Sequence, residues 1–124
     1  MTTNPGVNVL LDSKLISKTE LSEMYVETTP LSSRVPSKVV KVKLFCGSAT
    51  WLLSEYDETN NVFFGLCDLG LGCPELGYVS PLELSGLVQG TPRGLVLERD
   101  KYFEPVKDLE EYAQEARKAG FINA

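Results

Sequence analysis

The chain has 124 residues, 43% of them apolar and 23% charged, and a formal net charge of −5 from 17 acidic and 12 basic side chains. That length suits one domain with one core, and the composition argues against wholesale disorder, a collagen-like fibre and a coiled-coil rod. The acidic excess disfavours direct binding to nucleic acid, which needs a basic face.

The absence of histidine removes Ser-His-Asp and Cys-His nucleophile systems, two-His metal sites and a proton switch at neutral pH. Three cysteines, Cys46, Cys67 and Cys73, follow a start with no secretory pattern, and no apolar run is long enough to cross a bilayer. The expectation is a cytoplasmic protein with free thiols, no membrane contact and no cofactor. Five residues separate Cys67 from Cys73 and a fourth ligand is lacking. Two or three of the cysteines therefore read as small buried apolar groups rather than zinc ligands.

Residues 1–9 read as a flexible arm ahead of a single domain at 10–124. Ser17-Lys18-Thr19-Glu20 is a capping box and predicts a short helix over 18–25. Residues 28–37, with two prolines and several hydroxyl side chains, read as an irregular connection. The period then changes. A strand is predicted over 39–45, with Val40, Val42 and Leu44 on one face and Lys41 and Lys43 on the other. A second over 49–56 sets Trp51, Leu53 and Glu55 opposite Thr50, Leu52 and Ser54. The polar run 57–61 is a hairpin loop, and strands over 62–69 and 75–79 follow, the first apolar on both faces.

Ser80-Pro81-Leu82-Glu83 places a cap, an N1 proline and an acid in register and predicts a helix to about 88. A fifth strand is expected over 95–98. Asp108-Leu109-Glu110-Glu111 opens a last helix over 109–119, its acids early, Arg117 and Lys118 late, and Gly120 beyond, the order the helix dipole favours. The links between the first four strands are too tight for parallel crossovers. The fold class is therefore α+β, a mainly antiparallel sheet of about five strands with two to three short helices.

Four blocks occur in order: residues 50–57 (TWLLSEYD), 64–70 (FGLCDLG), 74–80 (PELGYVS) and Leu97-Glu98-Arg99-Asp100 with Phe103. The series resembles a bacterial family of small uncharacterised proteins, a domain of unknown function often carried by plasmids, integrative elements and prophages. The resemblance covers about residues 10–119 and departs from the family pattern at Pro81 and Lys101. It implies a mobile-element setting and a shared fold, and it brings no catalytic residues with it.

The polar and aromatic residues of these blocks are the candidate binding residues: Trp51, Glu55, Asp57, Glu58, Asp68, Glu75, Tyr78, Glu98, Arg99 and Asp100. Three readings compete. In the first they build the scaffold: Arg99 is satisfied by carboxylates and carbonyls, Asp68 and Glu75 cap turns, and Trp51 fills the core. In the second, acids including Asp57, Glu58, Asp108, Glu110, Glu111 and Glu115 present a surface to a basic groove of a host protein. In the third, Asp68, Glu75 and Glu98 hold Mg²⁺ or Mn²⁺ in an enzyme acting on nucleic acid or nucleotides. The reading adopted is a non-enzymatic accessory protein of a mobile element that binds a macromolecule, a host defence or nucleic-acid-processing protein; the metal enzyme is the alternative. Oligomeric state is left open by the sequence.

Overall fold

A computed structural model describes residues 5–25 and 39–124. Residues 1–4 of the expected arm and the expected irregular connection at 28–37 lie outside that range. The chain runs through α1 (Val7–Asp12), α2 (Lys18–Met24), β1 (Val42–Cys46), β2 (Ala49–Asp57), β3 (Val62–Asp68), β4 (Glu75–Val79), α3 (Pro81–Ser85), β5 (Glu98–Arg99) and α4 (Leu109–Ala119). The strands form one sheet in the order β4-β3-β2-β1-β5, every neighbouring pair antiparallel. The α+β class with a five-stranded antiparallel sheet is thus the observed one. No helix among the described residues is long and apolar enough to cross a membrane.

Helix α1 is not predicted by the sequence. It starts at Val7, inside the stretch read as an arm, and buries Val7 and Leu10. No side chain caps it; Gly6 supplies the entry at φ 88, a conformation that carries no Cβ penalty only for glycine. A Cβ there would meet the Pro81 carbonyl at 2.5 Å, so α1 and the start of α3 touch closely. Helix α2 has the predicted box: Glu20 N–H donates to Ser17 Oγ, and Ser17 N–H donates to Glu20 Oε1.

The centre of the sheet departs from simple alternation. Strand β2 slips register between Leu53 and Glu55 against β3, and the Ser54 hydroxyl donates to the Phe64 carbonyl at 3.2 Å. Opposite this bulge sits Gly65, where a Cβ would lie 2.0 Å from the Leu52 carbonyl oxygen; only glycine admits that approach. The bulge has two consequences. Tyr56 joins Trp51 and Leu53 in one core layer, so Glu55 turns to the opposite face and does not share one with Trp51. The regular ladder of β1 also stops at the pair Val42–Leu53. Val40 therefore lies in the other core layer, beside Leu52, instead of sharing a face with Val42 and Leu44.

Two further bounds differ. Helix α3 ends at Ser85, and the chain continues in tight turns with Leu87 N–H donating to Leu84 O and Val88 N–H to Ser85 O. Strand β5 forms at Glu98–Arg99 rather than over 95–98, because Thr91 and Leu87 have claimed the backbone before it: Thr91 N–H donates to Leu95 O, and Leu97 N–H donates to Leu87 O.

The sheet separates two apolar layers. One joins Val42, Leu44, Trp51, Leu53, Tyr56 and Phe63 to residues of α1, α2 and α3. The other joins Val40, Leu52 and Leu66 to Leu109, Tyr112, Ala113 and Ala116 of α4.

Candidate functional site

The register fixes where each candidate stands. Asp57 and Asp68 close opposite ends of the β2–β3 hairpin, Asp57 paired with Val62 and Asp68 with Thr50. Asp57 is 5% exposed and accepts from the Asn60 amide N–H (3.1 Å) and the Asn60 side chain (2.7 Å). It therefore shapes the hairpin loop. Asn61, at φ 52, completes that end: its side-chain amide donates to the Pro5 carbonyl, and its oxygen accepts from the Tyr56 hydroxyl.

Asp68 is 2% exposed. One oxygen accepts from Gly70 N–H at 2.8 Å and the other from Ile122 N–H at 2.9 Å. Both oxygens are engaged, one in the turn after β3 and one in pinning the segment beyond α4 to the sheet. A buried carboxylate is tolerable in this form because charge-assisted bonds replace its hydration.

Glu75 is exposed at the start of β4, paired with Cys67. Glu98 is exposed and pairs with Phe45, which faces Thr50 and, beyond it, Asp68. Glu98 and Asp68 thus lie three strand spacings apart, about 14 Å. The trio Asp68, Glu75 and Glu98 therefore does not converge, and no group of three acids or cysteines among the described residues could hold a metal ion.

At the other edge, Arg99 pairs with Leu44 across β1. Its guanidinium grips Glu20 of α2 with both terminal nitrogens and donates to the Leu15 carbonyl at 3.4 Å. Glu20 does two jobs, closing the α2 capping box and anchoring β5. The hydrogen bonds from Arg99 hold its carboxyl below the ordinary value, against burial, which raises it. Sequence reasoning assigned Glu20 only to the cap; a partner 79 residues away leaves no local spacing signal. Asp100, next along, faces Lys43 at 3.2 Å and accepts from Tyr102 N–H. The Lys43 ammonium holds the Asp100 carboxyl low.

Trp51, 6% exposed, lies in the core layer under α1–α3. Glu55 is buried at 3%, and Glu58 is exposed in the hairpin loop. Tyr78 is 58% exposed and packs edge-on against Phe64, ring centroids 5.4 Å apart. Much of the proposed acidic surface is engaged within the fold. Asp108 and Glu111 form the α4 capping box, and Glu115 pairs with Lys107. The cysteines are free and graded in exposure, Cys46 buried, Cys67 half-buried and Cys73 exposed.

An apolar surface that the sequence reading did not single out lies at the Asp68 end. Leu69, Leu71 and Phe121 are 59%, 80% and 52% exposed. The turn and the segment after α4 meet there through the Asp68–Ile122 bond and the approach of Gly120 to the Gly72 carbonyl.

No curated protein and no solved structure matches the chain. A family model described as "Protein of unknown function (DUF2958)" matches residues 10–123, and the chain belongs to that family.

Proposed function

We propose that the protein is a non-enzymatic binding protein that works in the cytoplasm as an accessory of a mobile genetic element, engaging a host defence or nucleic-acid-processing protein. The observation that carries this reading is the contrast between engaged acids and bare apolar side chains at one end of the sheet. Asp68 there has both oxygens hydrogen-bonded, whereas Leu69, Leu71 and Phe121 are more than half exposed. Large exposed apolar side chains on neighbouring fixed segments are what a protein partner uses as anchors. The net charge of −5 adds long-range attraction to a basic partner, which speeds encounter more than it tightens the complex.

The test is capture from bacterial lysate on immobilised protein at low and high salt, comparing the natural chain with Leu71→Ser/Phe121→Ser. Both side chains are exposed, so the double variant should fold normally. A partner held by the natural chain and lost by the folded variant supports the reading. Capture that the variant retains in full, or capture by neither chain, overturns it.

A further inference from the structure

We propose that the cleft between α1 and α2 is a binding site for a small phosphomonoester with a compact apolar body, an inference that does not rest on the macromolecular partner. The cleft has a volume of about 340 Å³; Leu11 and Ile16 line it with Lys14, Lys18 and Arg99, Asp12 is the one acid among the described residues on its wall, and Glu20 holds Arg99 from behind. That volume is at the lower end of small-molecule sites, enough for one nucleoside-monophosphate-sized ligand and too small for a dinucleotide.

Two features point to an anion. Lys14 and Lys18 are exposed and have no ion pair among the described residues. Arg99 makes three hydrogen bonds, to Leu15 O and to both Glu20 oxygens, of the five its guanidinium can donate. A phosphate carries about two negative charges at neutral pH and could accept from both ammonium groups and the remaining Arg99 donors.

The second feature is the backbone of Lys14. Helix α1 ends in a Schellman turn: Leu15 N–H donates to Leu10 O and Lys14 N–H to Leu11 O. The residue at the turn is Lys14, at φ 62. Glycine is the default there because a Cβ is strained in the left-handed region. A lysine at that position gives up stability and sets an ammonium on the rim of the cleft. Strain of this kind concentrates where a side chain is needed for recognition.

The experiment follows backbone amide shifts of the folded protein by NMR at low salt while inorganic phosphate, AMP, adenosine or a single-stranded oligonucleotide is added. AMP should shift the amides of residues 11–18 and of Arg99 at millimolar concentration; phosphate should shift them less, and adenosine should not. Lys14→Gly should melt higher yet weaken AMP binding about three- to fivefold, Lys18→Gln should weaken it by a similar factor, and Asp12→Asn should tighten it about as much. The opposed signs in Lys14→Gly separate recognition from scaffold, since a purely structural Lys14 predicts only the gain in stability. An unchanged AMP response in Lys14→Gly, no AMP response in the natural chain, or tighter binding of the oligonucleotide than of AMP overturns the proposal.

Discussion

On one face of the sheet, α4 supplies most of the cover among the described residues, setting Leu109, Tyr112, Ala113 and Ala116 against Leu52 and Leu66, with Ile122 and Phe103 at its margins. On the other, pieces of α1, α2, α3 and the segment around Leu97 meet over Trp51, Leu53, Tyr56 and Phe63. None of α1, α2 and α3 is longer than seven residues, so none would persist on its own in water. The first face rests on one longer helix of 11 residues, with a capping box and a Gly120 stop. The second is held by polar clips between distant segments: Arg99 to Glu20, and Asn61 to Pro5. A layer built from fragments needs such clips because each fragment would otherwise have to meet its ordering entropy alone.

If the fragmented layer is the more cooperative one, its central ring should cost most to remove. Phe63 is fully buried and lies 5.1 Å from the Tyr56 ring. Phe63→Ala should destabilise by about 4 kcal/mol, against about 2 kcal/mol for Leu109→Ala under the single helix, where the neighbours can settle into the space. Urea denaturation of both variants decides it. Equal losses, or a larger loss at Leu109, would break the contrast between the two faces.

The clip comes next in size. The Arg99 and Glu20 side chains are 23% and 21% exposed, so the pair is partly shielded and doubly hydrogen-bonded, and Arg99→Ala should cost about 2 kcal/mol. Glu20→Gln should cost less, because its carbonyl can still accept in the α2 box. The Glu20 carboxyl is held below its ordinary value of 4.5 by Arg99. A depressed folded value means the stabilisation is fully present above the unfolded value and is lost as pH falls through the folded one. Melting temperature should therefore drop below about pH 4.5 in the natural chain. Arg99→Ala should flatten the part of that slope due to Glu20; an unchanged acid slope would mean that the pair does not hold the fragmented layer together.

The same division explains how far the amino-acid sequence could be read. Helix α4 and strand β4 fall on their predicted residues, because their signals are local: a capping box, a left-handed glycine, and a proline on either side of the strand. The departures arise where two distant segments meet. The bulge at Ser54 follows from the close approach of Gly65 to Leu52, and a period of two cannot announce it. Helix α1 lacks a capping side chain and forms against α3. Among the candidate residues, types were read more reliably than roles. Arg99 does find a carboxylate, but the partner is Glu20, far off in sequence. Asp57 and Asp68 are hairpin and tail fasteners, while the bare apolar end at Leu69, Leu71 and Phe121 emerges only when the turn meets the segment after α4.

A smaller effect should appear at the fastener shared by the sheet and α4. Asp68→Asn keeps the size and one acceptor but sets an amide donor against either Gly70 N–H or Ile122 N–H. It should cost about 1 kcal/mol and speed hydrogen exchange at Ile122 while leaving the amides of α1 and α2 unchanged. Faster exchange on both faces would mean that Asp68 ties the whole molecule rather than one side.

The cysteines report the comparison without being substituted themselves. Burial pushes the Cys67 thiol up to about 11, because the thiolate would lose its hydration between the strands, and Cys67 packs against the fragmented layer. Cys46 lies in that layer too, whereas Cys73 is exposed in the turn after β3. The thiolate is the reactive form, so iodoacetamide at pH 8 should modify Cys73 first, with Cys46 and Cys67 reacting only as their layer opens. Because that layer depends on the clip, Arg99→Ala should accelerate labelling of Cys46 and Cys67 and leave the Cys73 rate as it was. Mass spectrometry of peptides from timed samples reads all three sites at once. Unchanged labelling of Cys46 and Cys67 in Arg99→Ala would show that the fragmented layer does not depend on the Arg99–Glu20 pair.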